Sequence, residues 1–266
     1  MPQKAYLFSC TRQVFRETFF WLILASKYIR PILGLTPSER IVEYPWILKN
    51  IRKGKLLRTL DVGCSGSFLS HELIARGYDV YGIDFNEYLE KHPNLKFHRL
   101  DIVDTSFPKN FFDQVVMVST LEHIGIGTYG DPKYEDGDNM TMNELSRILK
   151  KDGLMLITVP FSNRHTSGEW YRVYDMPSLK KLVEAAHLRF ECIEWYVLSG
   201  NRWFKFQKHS DILEEHKTAK AIACLRLRKK RHNARYLGFS DYHNYKGPVA
   251  CVSSVHGNLY TNTAIQ

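Results

Sequence analysis

Three acids each close a short apolar run: Asp61, Asp84 and Asp101. After the first comes a turn of small residues, Gly63-Cys64-Ser65-Gly66-Ser67. Small residues let backbone approach a ligand closely, and exposed N–H groups at the start of a following helix can hold an anion. A dinucleotide loop of the dehydrogenase type reads G-x-G-x-x-G, whereas here Gly63 and Gly66 have a different spacing and Asp61 precedes both. A pyrophosphate beside Asp61 would be repelled and an amino group attracted, so the loop suits a group carrying both an ammonium and a carboxylate. Asp84 follows Asp61 by 23 positions, where an acid typically takes ribose hydroxyls in such folds. Asp101 is placed to accept from an adenine amino group, with Ile102 against the ring. Amino acid, ribose and adenine together describe S-adenosylmethionine.

These residues need strands that end along one edge. The apolar run 56–62 reads as a first strand, and Phe68, Leu69, Leu73 and Ile74 then recur at helical spacing until Gly77 stops the helix. Residues 79–83, 95–100, 114–118 and 154–159 read as further strands. Met142, Leu145, Ile148 and Leu149 share a helical face that Asp152-Gly153 breaks, and Leu179, Leu182, Val183 and Ala186 mark another helix. Strands are also expected at 190–198 and 221–227. Strands apolar on both faces and separated by helices predict a parallel sheet covered on both sides. The fold class is α/β, doubly wound, with residues 1–50 as an N-terminal helical cap, 51–229 as the cofactor-binding core and 230–266 as a C-terminal extension.

With its loop, its ribose acid, its adenine acid and the segment Ser119-Thr120-Leu121-Glu122-His123-Ile124-Gly125 in this order, the chain resembles the class I S-adenosylmethionine-dependent methyltransferases. The resemblance covers residues 56–159 closely and extends to about 227. It implies a Rossmann-like, mainly parallel seven-stranded sheet and S-adenosylmethionine as cofactor. By the same resemblance Asp61, Gly63, Cys64, Ser65 and Gly66 belong to the methionine loop, Asp84 to the ribose site, and Asp101 with Ile102 to the adenine site. Ser119 faces the methionine end. The pattern departs at Ser65 and Ser67, where the family usually has glycine.

Methyl transfer from a sulfonium is an in-line displacement that rests largely on positioning, and a neutral hydroxyl acceptor adds the need for a base. His123 and Glu122 are the candidates, each with a structural alternative: a hydrogen-bonded group under the cofactor. The segment 160–175 should overhang the acceptor side with His165, a further catalytic candidate, and with Tyr171, Arg172 and Tyr174 as candidate substrate contacts. The acids Asp131, Glu135, Asp136 and Asp138 miss the calcium-loop spacing, so no metal is expected. Ser119-Thr120-Leu121-Glu122 is neither the Asn/Asp-Pro-Pro-aromatic run of amino-methylating nucleic-acid enzymes nor the Pro-Cys of base-C5 enzymes, which leaves oxygen or another heteroatom as acceptor.

The chain has 266 residues, 37 Lys+Arg against 28 Asp+Glu, and a net charge of +9. That length can bury a real core, and the apolar content excludes disorder as the main state. The run 19–25 is far short of the roughly 20 residues that span a membrane. Cys10, Cys64, Cys192, Cys224 and Cys251 are scattered and odd in number, an expectation of reduced thiols and a cytoplasmic setting. Lys217, Lys220, Arg226, Arg228, Lys229, Lys230, Arg231 and Arg235 lie in one stretch without an acid. A solvated or anionic membrane-surface face is favoured there over nucleic-acid binding. Residues 14–33 suit a helix that caps the site, a homodimer face or an interfacial membrane helix. Glu43-Tyr44-Pro45-Trp46-Ile47 resembles a stretch of polysaccharide-associated methyltransferases. The expected function is methylation of a small-molecule acceptor at a sugar or glycolipid hydroxyl. The alternatives are an RNA-binding methyltransferase-like protein and a non-catalytic cofactor-binding partner.

Overall fold

Side chains alternate across a strand, so a strand that is apolar at every position has to be covered on both faces. The computed structural model, which describes residues 37–89, 91–206 and 220–230, meets that demand with an eight-stranded sheet. The elements in chain order are α1 (Arg40–Asn50), β1 (Arg58–Val62), α2 (Leu69–Ala75), β2 (Asp79–Asp84), β3 (Lys96–Arg99), β4 (Phe112–Val118), α3 (Gly137–Ile148) and β5 (Leu149–Phe161). There follow β6 (Thr166–Ser167), β7 (Arg172–Val173), α4 (Met176–Ala185), β8 (Leu188–Ser199), β9 (Arg202–Phe206) and β10 (Ala221–Lys229). The sheet order is β3-β2-β1-β4-β5-β10-β8-β9. The pairs from β3 through β5 are parallel, whereas β10 runs antiparallel to both β5 and β8.

The two sheet faces divide the core by strand parity. Val115, Met117, Met155 and Ile157 pack with Met142 and Leu145 of α3 and Leu179 and Leu182 of α4. Val116, Val118, Leu154 and Leu156 pack on the other face with Val42, Trp46 and Ile47 of α1 and Leu69 and Leu73 of α2. The described part of the expected N-terminal cap, α1, therefore serves as sheet cover. Among the described residues, Glu39 to Ser199 and those from Trp203 onward form one compact unit, and Pro37, Ser38 and 200–202 fall in a second.

The expected strands all occur, with two corrections. The sheet has eight strands rather than seven, because 202–206 adds an edge. The helix over Met142 and Leu145 ends at Ile148 with no loop, and β5 begins at Leu149 and bulges through Lys150–Gly153 against β4 before the register resumes at Leu154. Asp152 takes a left-handed conformation there, φ 57°. The expected helix at 14–33 and the extension 231–266 lie outside the described residues. Among the described residues no helix is long and apolar enough to cross a membrane.

Cys64 and Cys224 are free and buried. Cys192 is buried on β8, and Cys10 and Cys251 lie outside the described residues.

Three cations of the basic stretch are engaged internally. Arg228 Nε and Arg226 Nε donate to the two oxygens of Glu191, at 2.6 and 3.0 Å. Arg228 Nη1 reaches the carbonyl of Asp152, and Arg226 Nη1 that of Asn50. Lys229 Nζ donates to the Leu149 carbonyl at 2.7 Å and to Asn110 Oδ1 at 3.0 Å. These cations tie β10 to its neighbours, so the solvated-face reading does not hold for Arg226, Arg228 and Lys229. Lys217, Arg231 and Arg235 lie outside the described residues.

Candidate functional site

The strand order reverses between β1 and β4, and ligands of doubly wound sheets bind at that point beyond the strands' carboxyl ends. A cavity of about 320 Å³ lies there. Its walls come from the turns that follow β1, β2, β3 and β4: Gly63 and Ser65, then Asp84 and Phe85, then Asp101 and Ile102, then Ser119 and Thr120. His123, Tyr129 and Tyr134 complete it on one side, and Arg40 of α1 also lines it.

The first turn depends on a residue without a side chain. Gly63 sits at φ 71°, and its N–H donates to the Ile83 carbonyl at 2.8 Å. A Cβ at Gly63 would fall 2.4 Å from both Oγ1 and Cγ2 of Thr120. Asp84 joins two turns, accepting from Ser65 N at 2.9 Å and from Asn86 N at 2.8 Å. Ser67, where the resemblance expects glycine, has work of its own: its Oγ accepts from Leu69 N at 3.1 Å, at the start of α2, and from the Tyr44 hydroxyl at 3.0 Å. Asp101 accepts from Val103 N at 3.1 Å and from the Tyr134 hydroxyl at 2.9 Å. Each oxygen of Asp84 and Asp101 thus takes one protein donor and keeps a second lone pair.

Asp61 and Cys64 do not reach this wall. Asp61 is buried behind the turn and accepts from Ser70 Oγ at 2.7 Å. Burial is the chief cause that pushes its carboxyl up to about 7, with Asp84 adding repulsion and Ser70 and Arg40 opposing. Cys64 is fully buried, its Sγ filling the space a side chain on Gly82 would need. Gly66, at φ 73°, has open space around it but is not on the wall.

Ser119 ends β4 in a strained left-handed conformation, φ 42°, and a cluster of hydrogen bonds holds it there. Its Oγ donates to Glu43 Oε1 at 2.6 Å, Thr158 Oγ1 donates to the same oxygen at 2.7 Å, and Arg40 Nη1 donates to Oε2 at 2.7 Å. Glu43 is completely buried. The sequence reading singled out Glu43 only as part of a short segment and missed Arg40; an acid three residues after an arginine on one helix was the available signal. Glu43→Ala leaves two hydroxyls and a guanidinium without their acceptor. It is expected to cost about 2–3 kcal/mol of stability, less than a fully buried ion pair because Arg40 is partly solvated. Urea unfolding measures this.

His123 sits on the turn after β4. Its Nδ1 is 2.8 Å from the carbonyl oxygen of Trp170. A carbonyl can only accept, so Nδ1 carries the proton and the neutral ring keeps its lone pair on Nε2. Tyr129 and Tyr171 stand edge-on to the imidazole, at 5.2 and 6.2 Å between ring centres. Glu122 is buried beside it, with Oε1 4.0 Å from Nε2 and Oε2 without a hydrogen-bond partner. Burial pushes the Glu122 carboxyl up to about 8, with Glu43 adding to the rise.

Asp61 and Glu122 thus hold protons in the folded chain that they lose in the unfolded one, so stability should fall as pH rises from the ordinary carboxylate range through about 8. The slope approaches 1.4 kcal/mol per pH unit for each group that titrates. Glu122→Gln should remove its share, and a fall that the variant leaves intact would refute this assignment.

The remaining candidates separate. Tyr171 is exposed next to His123. Arg172 and Tyr174 are corrections: both are buried away from the cavity. Arg172 donates to the Ile124 carbonyl at 2.7 Å, and the Tyr174 hydroxyl donates to Asp138 at 3.2 Å. The strand pair β6–β7 turns both inward, because successive side chains on a strand face opposite sides and Arg172 and Tyr174, two residues apart, share one. His165 is exposed, packs on the ring of Tyr174 and lies off the cavity wall. The loop acids have structural roles too: Asp131 accepts from Tyr129 N and Gly125 N, and Asp138 lies 3.8 Å from Arg172.

The arrangement fits a zwitterionic nucleoside thioether, with a side-chain-free cradle at Gly63, carboxylates with spare acceptor capacity at two successive strand ends, apolar surface at Phe85 and Ile102, and a cation at Arg40. Comparison with known proteins agrees with this. Residues 60–157 match the family described as the methyltransferase domain. The ubiquinone biosynthesis O-methyltransferase of Pelagibacter ubique (strain HTCC1062) is 23% identical over 185 residues, and the match spans 66% of each chain. Among solved structures, the 1,6-didemethyltoxoflavin-N1-methyltransferase of Burkholderia thailandensis, bound to 1,6-didemethyltoxoflavin and S-adenosylhomocysteine, has a TM-score of 0.54 at 15% identity, covering 82% of this chain and 90% of that one. The [4+2]-cyclase SpnF has a TM-score of 0.51 at 16% identity, covering 70% and 79%.

Proposed function

Because the chain carries a class I S-adenosylmethionine-dependent methyltransferase domain, we propose that it methylates a hydroxyl of a small molecule, a sugar, glycolipid or similar metabolite. The observation that carries this reading is His123 on the cavity wall with its Nδ1 proton committed to the Trp170 carbonyl, which leaves the ring's lone pair on Nε2. A neutral hydroxyl must lose its proton as its oxygen is alkylated, and an imidazole of fixed tautomer can take it. S-adenosylmethionine supplies the activated methyl group. Asp84 takes the ribose hydroxyls, Asp101 and Ile102 the adenine, and Arg40 the carboxylate of the methionine portion. Glu122, with Oε1 4.0 Å from Nε2, is kept protonated by burial up to about pH 8 and stands beside His123 as a neutral polar neighbour.

The relative from Pelagibacter is named for an O-methyltransferase, in keeping with oxygen as the accepting atom. A cyclase on the same fold is a reminder that fold alone does not fix chemistry, and it keeps a non-methylating cofactor-binding protein as the competing reading. The internal pairing of Arg226, Arg228 and Lys229 weighs against RNA as the partner. The decisive experiment is calorimetric titration with S-adenosylhomocysteine, followed by measurement of its release from S-adenosylmethionine over a panel of sugars, glycolipids and phenols. Binding with release for a hydroxyl acceptor supports the proposal, and absence of binding by a folded sample sinks it.

A further inference from the structure

The rim beside His123 is aromatic and open to water. Tyr129, Trp170 and Tyr171 are 58%, 67% and 48% exposed, unusual for side chains that gain so much from burial. They belong to two segments tied to each other at this point: Thr128 Oγ1 donates to the Glu169 carbonyl at 3.1 Å, and His123 Nδ1 to that of Trp170 at 2.8 Å. Two of the three rings stand directly against the imidazole. Arg172, anchored to the Ile124 carbonyl, and Tyr174, anchored to Asp138, hold the base of the β6–β7 hairpin, so its tip is presented on a fixed support. Hydrogen-bonding groups interleave with the rings: the Tyr129 and Tyr171 hydroxyls, the Asp131 carboxylate on the cavity wall and the exposed Glu169.

Resting on the methyl-transfer reading above, we propose that Tyr129, Trp170 and Tyr171 form an acceptor subsite for a pyranose ring, which places one of its hydroxyls at His123 Nε2. A flat aryl or quinone acceptor would gain most from an enclosed apolar slot. A pyranose has a C–H face that packs on an aromatic ring and an edge of hydroxyls that need acceptors and water. An exposed aromatic rim with a carboxylate alongside matches the second chemistry.

Saturation-transfer NMR on the full chain with S-adenosylhomocysteine tests this, using methyl α-D-glucopyranoside, methyl α-D-mannopyranoside and catechol as probes. Saturation is expected at the ring C–H protons of at least one pyranoside. It should weaken about two- to tenfold in Trp170→Ala and in Tyr171→Ala, recover in Trp170→Phe, and leave S-adenosylhomocysteine affinity unchanged, because neither side chain lines the cofactor cavity. With cofactor product bound, absence of transfer to both pyranosides, preference for catechol, or transfer indifferent to the substitutions overturns the subsite. Failure to bind S-adenosylhomocysteine instead overturns the methyl-transfer reading beneath it.

Discussion

Gly63→Ala is expected to weaken S-adenosylhomocysteine binding by about 10²-fold or more, some 2.8 kcal/mol, while the chain still folds. The new methyl would lie 2.4 Å from two side-chain atoms of Thr120, well inside van der Waals contact. The backbone at φ 71° would add the left-handed penalty of about 1–2 kcal/mol. Relief requires the turn to move, and with it the Ser65 N–H that Asp84 holds at 2.9 Å. Two companion variants make the cause visible. Gly66→Ala has a similar φ of 73° but nothing within 4 Å, so it should carry only the backbone penalty and cost about tenfold. Thr120→Ala removes both clashing atoms and should restore part of the affinity lost by Gly63→Ala, a coupling that independent sites would not show. Isothermal titration of the wild type, the three single variants and the Gly63→Ala/Thr120→Ala double variant measures it, and equal losses at Gly63 and Gly66 would refute the steric account.

His123→Ala is expected to lower kcat/KM about 10²- to 10⁴-fold toward a hydroxyl acceptor with S-adenosylhomocysteine affinity little changed. Two features of the geometry require this. The Trp170 carbonyl commits the Nδ1 proton and leaves Nε2 as the basic atom, and among the described residues no other imidazole lines the cavity. Added imidazole should recover part of the rate in the alanine variant, because the deletion leaves space where the ring stood. A loss confined to KM, or a rate unaffected by the deletion, would show that positioning alone drives transfer and return His123 to a structural role. Glu122→Gln should lower the same rate less, since it replaces a protonated carboxyl with a neutral amide of nearly the same shape.

Much of the framework was legible from residue order. The double-faced apolar runs of β1, β4 and β5 had to be central strands. The small residues after Asp61 had to be a close-approach turn, and Asp84 and Asp101 do end up on the cavity wall. His123 was identifiable because it follows a strand that ends at the switch point. The partner of Asp61 was not legible, since the periodicity that puts Leu60 and Val62 on one face says nothing about whether Asp61, opposite them, meets ligand or Ser70. Arg172 and Tyr174 misled for a related reason: an arginine in a loop reads as a free cation until the hairpin register turns it toward the Ile124 carbonyl.

Local order along the chain thus determined the fold class, the ligand-binding edge and the residues able to do proton chemistry, because strand and helix periodicities and turn chemistry act over a few neighbouring residues. Tertiary structure alone decided which polar groups remain available. Glu43 reaches Ser119 and Thr158, 76 and 115 positions away, Arg226 and Arg228 are spent on Glu191, and Trp170 sets the tautomer of His123 from 47 positions away. Each of these is a hydrogen bond between groups brought together by packing. A buried donor or acceptor takes whatever partner the fold supplies, and that choice is not written in the spacing of residues along the chain.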